Sequence, residues 1–208
     1  MVSLATLGAF AVIVLGLFVI PGPAVLLVGS RAVQGGRKAG MIAGLGIAAG
    51  DLVHTLFASI GLSAILMTSS IAFNAVKFAG AAYLLYLGVR AIMEKPSDPQ
   101  LPQVAPQTSA KIFGQAVVIE VLNPKTSLFF LSFLPQFVHP EQGSTLIQFL
   151  ILGLVFVMLS VIYTSTLAAG IQAIGRAVKR ISWLGRWSGK IVGTIYIALG
   201  LKVAFQNK

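Results

Sequence analysis

Asp51 lies ten residues into an apolar stretch that begins at Met41, about 15 Å along a helix at 1.5 Å per residue. That is near the middle of a hydrocarbon layer about 30 Å thick. A carboxylate there costs about 3 kcal/mol on insertion scales, so it must face a cavity, hold a proton or pair with a cation. His54 and Thr55 follow at three and four residues, on the same face of a helix, and a carboxylate stacked on an imidazole can pass a proton. Glu120 lies deep in a second apolar stretch, and Lys125 follows five residues later. An unpaired ammonium is as costly there as a carboxylate, so Lys125 is expected to share a network with Glu120 or to pair with Asp51. The spacing leaves both open. If these groups are instead only structural, Asp51 is a neutral acid bonded to a freed carbonyl of a broken helix, and Glu120 and Lys125 pair without any transport chemistry.

Two helix breaks carry the rest of the candidate chemistry. In Pro21-Gly22-Pro23, both prolines lack the N–H groups that would bond the carbonyls of Leu17 and Val19, so the helix must kink or unwind. Asn123-Pro124-Lys125 repeats the device, and the carbonyl it releases belongs to Glu120. Backbone freed in hydrocarbon is tolerated where it is buried in protein or lines a watery cavity, as in the substrate sites of transporters. The expected substrate and ion pathway is therefore Pro21, Gly22, Pro23, Asp51, His54, Glu120, Asn123, Pro124 and Lys125. The plainer alternative is that the prolines only bend membrane helices. A solvated loop is the expected setting of His139, beside Pro140 and Glu141.

Other chemistries lack their parts. Without cysteine and with only two histidines, far apart, neither a disulfide nor a metal site is expected, and no cofactor is implied. An enzyme would need an activated nucleophile or a metal cluster, and none accompanies Asp51 and His54. No Gly-x-x-x-x-Gly-Lys-Ser/Thr motif occurs, so uphill transport would draw on an ion gradient or a partner. The net charge of +10 raises nucleic acid as a partner, but the basic residues fall between apolar segments, without interleaved aromatics.

The elements that position these residues are membrane helices. The chain is 57% hydrophobic and 10% charged, against about 25% charged in a soluble domain, and its mean hydropathy is +0.93. Six segments are long enough to span: Leu4–Gly29, Met41–Met67, Ile71–Met93, Ala110–Val138, Thr145–Ile174 and Trp187–Phe205. No basic n-region or small-residue cleavage site precedes the first break, which argues against a removable signal peptide. The polar stretch Glu94–Ser109, rich in Pro, Gln and Ser, reads as a linker. It divides the chain into a three-helix unit at 1–93, the linker at 94–109 and a second three-helix unit at 110–208.

Of 15 Lys and Arg residues, most cluster in alternate connections: Arg31, Arg37 and Lys38, then Arg90, Lys95 and Lys111, then Arg176, Lys179, Arg180, Arg186 and Lys190. The positive-inside rule makes those connections cytoplasmic and puts both termini outside. Three spans per half make an internal repeat an inverted one. Lys77-Phe78-Ala79-Gly80-Ala81-Ala82-Tyr83 indeed matches Lys190-Ile191-Val192-Gly193-Thr194-Ile195-Tyr196, and Leu87-Gly88 matches Leu199-Gly200. The expected fold is thus an all-α integral membrane protein of six transmembrane helices, a 3+3 inverted repeat with broken first and fourth helices.

Lesser features read as packing or anchoring. Gly36, Gly40, Gly44, Gly46 and Gly50 form a strip that lets helices approach closely. Phe129, Phe130, Phe133 and Phe137 form a stripe at helical spacing. Tyr163, Thr164, Ser165 and Thr166 place hydroxyls in mid-segment, for neighbouring helices and backbone carbonyls first. Trp183 and Trp187 suit an interfacial anchor.

Together these residues resemble the lysine/homoserine exporter family, the LysE/RhtB type of bacterial inner-membrane translocators. The resemblance runs over nearly the whole chain. It is carried by Pro21-Gly22-Pro23, by Gly35-Gly36-Arg37-Lys38-Ala39-Gly40 leading to Gly46 and Gly50-Asp51, by Lys77 to Gly88, and by Asn123-Pro124-Lys125 followed by Phe129-Phe130 and Pro135-Gln136-Phe137. It implies export of small zwitterionic amino acids or close derivatives across the bacterial inner membrane, exchanged for protons, by a six-helix homo-oligomer. Glu120 is not part of the family pattern. A non-transporting membrane scaffold or small channel with structural acids is the alternative reading.

Overall fold

The computed structural model describes residues 2–19, 22–68, 70–93 and 103–178, together with positions 190, 193, 194, 197, 198 and 201. Its helices are α1 (Leu4–Val19), α2 (Pro23–Thr68), α3 (Ser70–Met93), α4 (Ser109–Val121), α5 (Pro124–Ser132) and α6 (Thr145–Val178), with 3₁₀ turns at Leu134–Phe137 and Pro140–Gln142. There is no β-strand among the described residues.

Ser3 starts α1, its hydroxyl accepting from the Thr6 N–H at 3.1 Å as an N-cap does. The helix is apolar all round, yet it buries only Phe10, Ile13, Val14 and Leu17, the i, i+3, i+4, i+7 stripe of a helix with one protein-facing side. Leu4, Val12 and Leu15 on the other side are exposed, an arrangement suited to lipid. The buried stripe meets Phe129, Phe130, Phe133, Phe149 and Phe156 in one core. There the rings pack edge to face, as in Phe130–Phe156 at 4.9 Å and 67°, a geometry that adds about 1 kcal/mol per pair beyond area burial. The phenylalanine stripe is core.

Each proline motif interrupts the helix at its place in the chain. α1 ends at Val19 and helix resumes at Pro23. The Gly22 carbonyl accepts from the Leu26 N–H at 3.0 Å, so Pro23 sits at the first helical position, where a missing N–H is harmless. Pro21 lies outside the described residues. At the second break α4 stops at Val121, α5 begins at Pro124, and the axis turns by 47°. The Asn123 side chain caps α5 by accepting from the Lys125 N–H at 3.1 Å.

α2 differs from the expected boundaries. Residues 30–40, expected as a connection, are helical, and the direction changes at one residue, Gly36, with φ 77° and ψ 173°. That backbone conformation is open to glycine almost alone. Arg31, Ala32, Val33 and Gln34 are ordinary helix residues with nothing to stop them, so the turn falls to the glycine. The two legs fold back on each other: a Cβ on Gly40 would lie 2.6 Å from the Ala32 Cβ, although eight helical residues cover about 12 Å. The rest of the glycine strip also works by close approach. Added Cβ atoms would come within 2.7 Å of the Thr164 hydroxyl at Gly44, 2.6 Å of the Ala116 Cβ at Gly46, and 2.6 Å of the Glu120 Cβ at Gly50.

Among the described residues, Pro23–Ile65 and Thr145–Gly170 are long and apolar enough to cross a membrane, and Ser109–Val121 with Pro124–Phe137 makes a third if the bent pair is one span. α1 is a shorter apolar helix that leads across its break into the first leg of α2. Ser63 and Thr145 share a hydroxyl bond of 2.6 Å that ties the end of α2 to the start of α6. Most of the expected last helix, Trp187–Phe205, lies outside the described residues, as do Lys95, Lys179, Arg180, Arg186, Trp183 and both chain ends. Gly193 is described. A Cβ there would lie 2.6 Å from the Gly88 carbonyl oxygen, so α3 and this segment touch backbone to backbone.

Candidate substrate and ion site

The two helix breaks meet each other. Lys125, the second residue of α5, extends its Nζ to the carbonyl of Leu17 at 2.7 Å. That carbonyl is the one Pro21 cannot bond, so the ammonium of the second break fills the vacancy of the first. Gly22 sits in ordinary contact with this side chain: a Cβ on it would lie 3.5 Å from the Lys125 Cδ. The second break is satisfied from another side. The Glu120 carbonyl, which Pro124 cannot bond, accepts from the Asn123 N–H at 3.0 Å and from His54 Nε2 at 2.9 Å. Since a carbonyl cannot donate, Nε2 carries the proton in that bond.

Around this junction is a cavity onto which Gly22, Asp51, Glu120, Asn123 and Lys125 all open, with Ser160, Tyr163 and Thr164 of α6 closing one side. Asp51 is 1% exposed and Glu120 2%. The Asp51 carboxyl neighbours the Ser160 hydroxyl and the Glu120 carboxyl, and its Oδ2 is buried with no hydrogen-bond partner. Glu120 Oε2 accepts from the Asn123 amide at 3.2 Å. Gly50 brings the two acids together, since any side chain there would meet the Glu120 Cβ and hold α4 away. The site therefore gathers two buried carboxyls and one partly buried ammonium around one cavity, and one carboxyl oxygen has nothing to bond.

His54 is not part of that group. It follows Asp51 on the helix, but its ring leans on Phe130 at 5.7 Å and opens onto a separate, largely apolar cavity with Phe57, Leu62 and Leu131. The Glu120 backbone carbonyl holds its Nε2. A direct carboxylate–imidazole relay, the expectation from their spacing, is thus replaced by two residues on either side of one glutamate. Pro23 and Pro124 are exposed at the starts of their helices and shape the site through the backbone. His139 lies in the loop after α5 with its Nδ1 3.4 Å from Glu141.

Ser160 was not singled out by sequence. It lies one turn before the hydroxyl run at Tyr163 and Thr164, where a period of 3.6 would have included it. Thr164 serves two purposes, lining the cavity and donating to the Ser160 carbonyl at 2.7 Å.

The chain matches the LysE type translocator family over residues 15–207. It belongs to that family. This LysE type translocator is 30% identical over 201 residues to a leucine efflux protein of Enterobacter sp. (strain 638), covering 95% of this chain and 92% of the relative. It is 33% identical over 190 residues to an uncharacterized membrane protein of Pseudomonas aeruginosa, covering 89% and 88%. A leucine efflux protein of Klebsiella pneumoniae is 28% identical over 190 residues, covering 90% and 89%. No solved structure matches the translocator.

Proposed function

We propose that this translocator exports amino acids or close derivatives across the bacterial inner membrane in exchange for protons. The observation that carries the reading is the count of charges where the breaks meet: two carboxyls, Asp51 and Glu120, against one ammonium, Lys125, all on one buried cavity. With every group ionised the cavity would hold one uncompensated negative charge, which low dielectric makes expensive. One proton removes that cost, and so does the ammonium group of a substrate. The two then compete for the same place, and competition of that kind is antiport.

The breaks support the same reading. The freed carbonyls of Leu17 and Glu120 each take a side-chain partner from another helix, so groups at the junction are exchangeable without unfolding either helix, as in discontinuous transporter helices. The two leucine efflux relatives support an apolar amino acid as the first substrate to try. Around the site we propose six spans in a 3+3 inverted repeat, residues 1–93 and 110–208 joined by 94–109, with both termini outside and the chain working as a homo-oligomer.

Counterflow of labelled amino acids into liposomes containing the purified protein tests the proposal, with L-leucine first in the panel. Exchange of at least one amino acid, and accumulation that follows an imposed pH gradient, are expected. Absence of exchange across the whole panel would remove the export reading and favour a membrane scaffold.

A further inference from the structure

Arg31 is a buried charge that no carboxylate among the described residues offsets. It lies nine residues after Gly22 on the first leg of α2, about 13 Å along the helix from the cavity, and is 3% exposed. Its Nη1 donates to the Ala105 carbonyl at 2.7 Å. Its Nη2 donates to the side-chain oxygens of Gln107 at 2.8 Å and Gln115 at 2.7 Å. All three acceptors are neutral, the Nε is buried with no partner, and among the described residues no carboxylate pairs with it.

That is an unusual use of arginine. A guanidinium out of water is normally matched by an anion, because neutral acceptors recover only part of its lost hydration. Its planar fork also suits one anion best, a carboxylate approaching side-on through Nε and Nη2. On that edge of Arg31 the Nε bonds nothing, and the Nη2 is held by two glutamine amides. Two of the three acceptors, Ala105 and Gln107, belong to the 103–108 strap that leads into α4, and the Val104 N–H ties the same strap to Gln34 at 2.8 Å. Gln115 is five residues before Glu120 on α4. One guanidinium therefore holds together the first leg of α2, the strap and the helix that carries an acid of the cavity.

We propose that Arg31 is a carboxylate-binding site, occupied by the strap when no carboxylate is present. An arriving carboxylate takes the Nε–Nη2 edge and displaces the two glutamine oxygens, which parts the strap from α4 at Gln115 and loosens it to the ties at Ala105 and Val104. The identity of that carboxylate rests on the export reading: in the orientation proposed above Arg31 faces the cytoplasm, and the anion is the carboxylate of the amino acid entering for export. Its ammonium is then free to move on to the Asp51 and Glu120 pair. Arg31 would thus select free amino acids over amides and amines at the inner mouth.

The chain has no cysteine, so cysteines introduced at Val33 and Ala105, both exposed, take spin labels alone. The distance between them is measured in lipid nanodiscs with sodium acetate against sodium chloride at equal ionic strength, and with L-leucine against L-leucinamide. Acetate and leucine should lengthen and broaden the distance while chloride and leucinamide leave it short. Arg31→Gln should show the broad distribution with no ligand. In vesicles it should raise the cytoplasmic-side KM of the amino acid that the wild type carries best about 10- to 100-fold, the worth of one or two charge-assisted hydrogen bonds, with Arg31→Lys recovering part. A wild-type distance that is the same in acetate, leucine and chloride overturns the proposal, as does an unchanged KM in correctly inserted Arg31→Gln. Loosening of the strap by acetate without transport of any amino acid would sustain the site and sink the export reading.

Discussion

The site has one more acid than base, which makes Asp51 and Glu120 testable separately. In either Asp51→Asn or Glu120→Gln the cavity is neutral without a proton, so neither variant should couple a proton to substrate. Both should insert, since losing an intramembrane charge lowers the insertion cost. A pH difference of one unit is worth about 1.4 kcal/mol per proton and supports about tenfold accumulation in one-for-one exchange. Wild type should approach that ratio in liposomes, and the variants should stay near unity. If Asp51→Asn concentrates substrate as wild type does, Asp51 is a structural acid. At this scale sequence revealed which groups were in need and not which groups would meet. The proline rule is local, so the vacancy at Leu17 follows from Pro21 alone. Its partner Lys125 is 108 positions away and could have been sought with equal reason by Glu120 or Asp51. For His54 the spacing correctly put it beside Asp51 on the helix, but three residues turn a side chain by about 60°, enough to send it to the other side of Glu120.

Helices here are placed by glycines, and three of them separate two physical effects. Gly36→Ala meets no atom within 4 Å but must adopt φ 77°, so it should cost about 1–3 kcal/mol through backbone strain. Gly50→Ala keeps a helical backbone but puts a Cβ 2.6 Å from the Glu120 Cβ; it should cost about 1–3 kcal/mol by overpacking and reduce transport by moving α4. Gly8→Ala, with nothing within 4 Å, should be neutral or slightly stabilising. Thermal unfolding in detergent ranks them, and a Gly50→Ala variant as active and stable as Gly8→Ala would mean that the α2–α4 approach is dispensable. The glycine strip was legible as packing from its four-residue spacing. The turn at Gly36 was not placed, because the pair Gly35-Gly36 signals a turn without saying which of the two adopts positive φ, and the apolar pattern put the boundaries several residues to either side.

The whole molecule poses the question of sidedness, which charge pattern and structure address by different routes. Charge puts Arg37, Lys38 and Lys111 on one side by the positive-inside rule. The structure joins the same regions through hydrogen bonds that owe nothing to that rule: Arg31, beside the turn at Gly36, holds Ala105 and Gln107 of the strap, and Arg37 donates to the Ala169 carbonyl near the end of α6 at 3.0 Å. From the strap the chain runs through α4, the 47° bend and α5 to the loop at His139 and Glu141. There Gln148 of α6 clamps the His139 carbonyl at 2.8 Å and the Gly143 carbonyl at 3.1 Å, and the chain returns. Composition and hydropathy sufficed for an all-helical chain with apolar, span-length helices among the described residues, though not for the boundaries of α2. The expected sidedness was legible in the Lys and Arg pattern, whereas the contacts that join the distant connections are encoded in no local pattern. Reporters at Lys38 and Gln103 should therefore both be cytoplasmic, and one beside Glu141 should be outside. A reporter fused after Lys208 should also be outside, because the six spans proposed here would return the chain to the side on which it began. An opposite result for Lys38 and Gln103 relative to each other would contradict the Arg31 knot itself. A cytoplasmic C-terminus with the other three as expected would leave the knot intact and overturn the six-span inverted repeat, since the second unit would then not mirror the first.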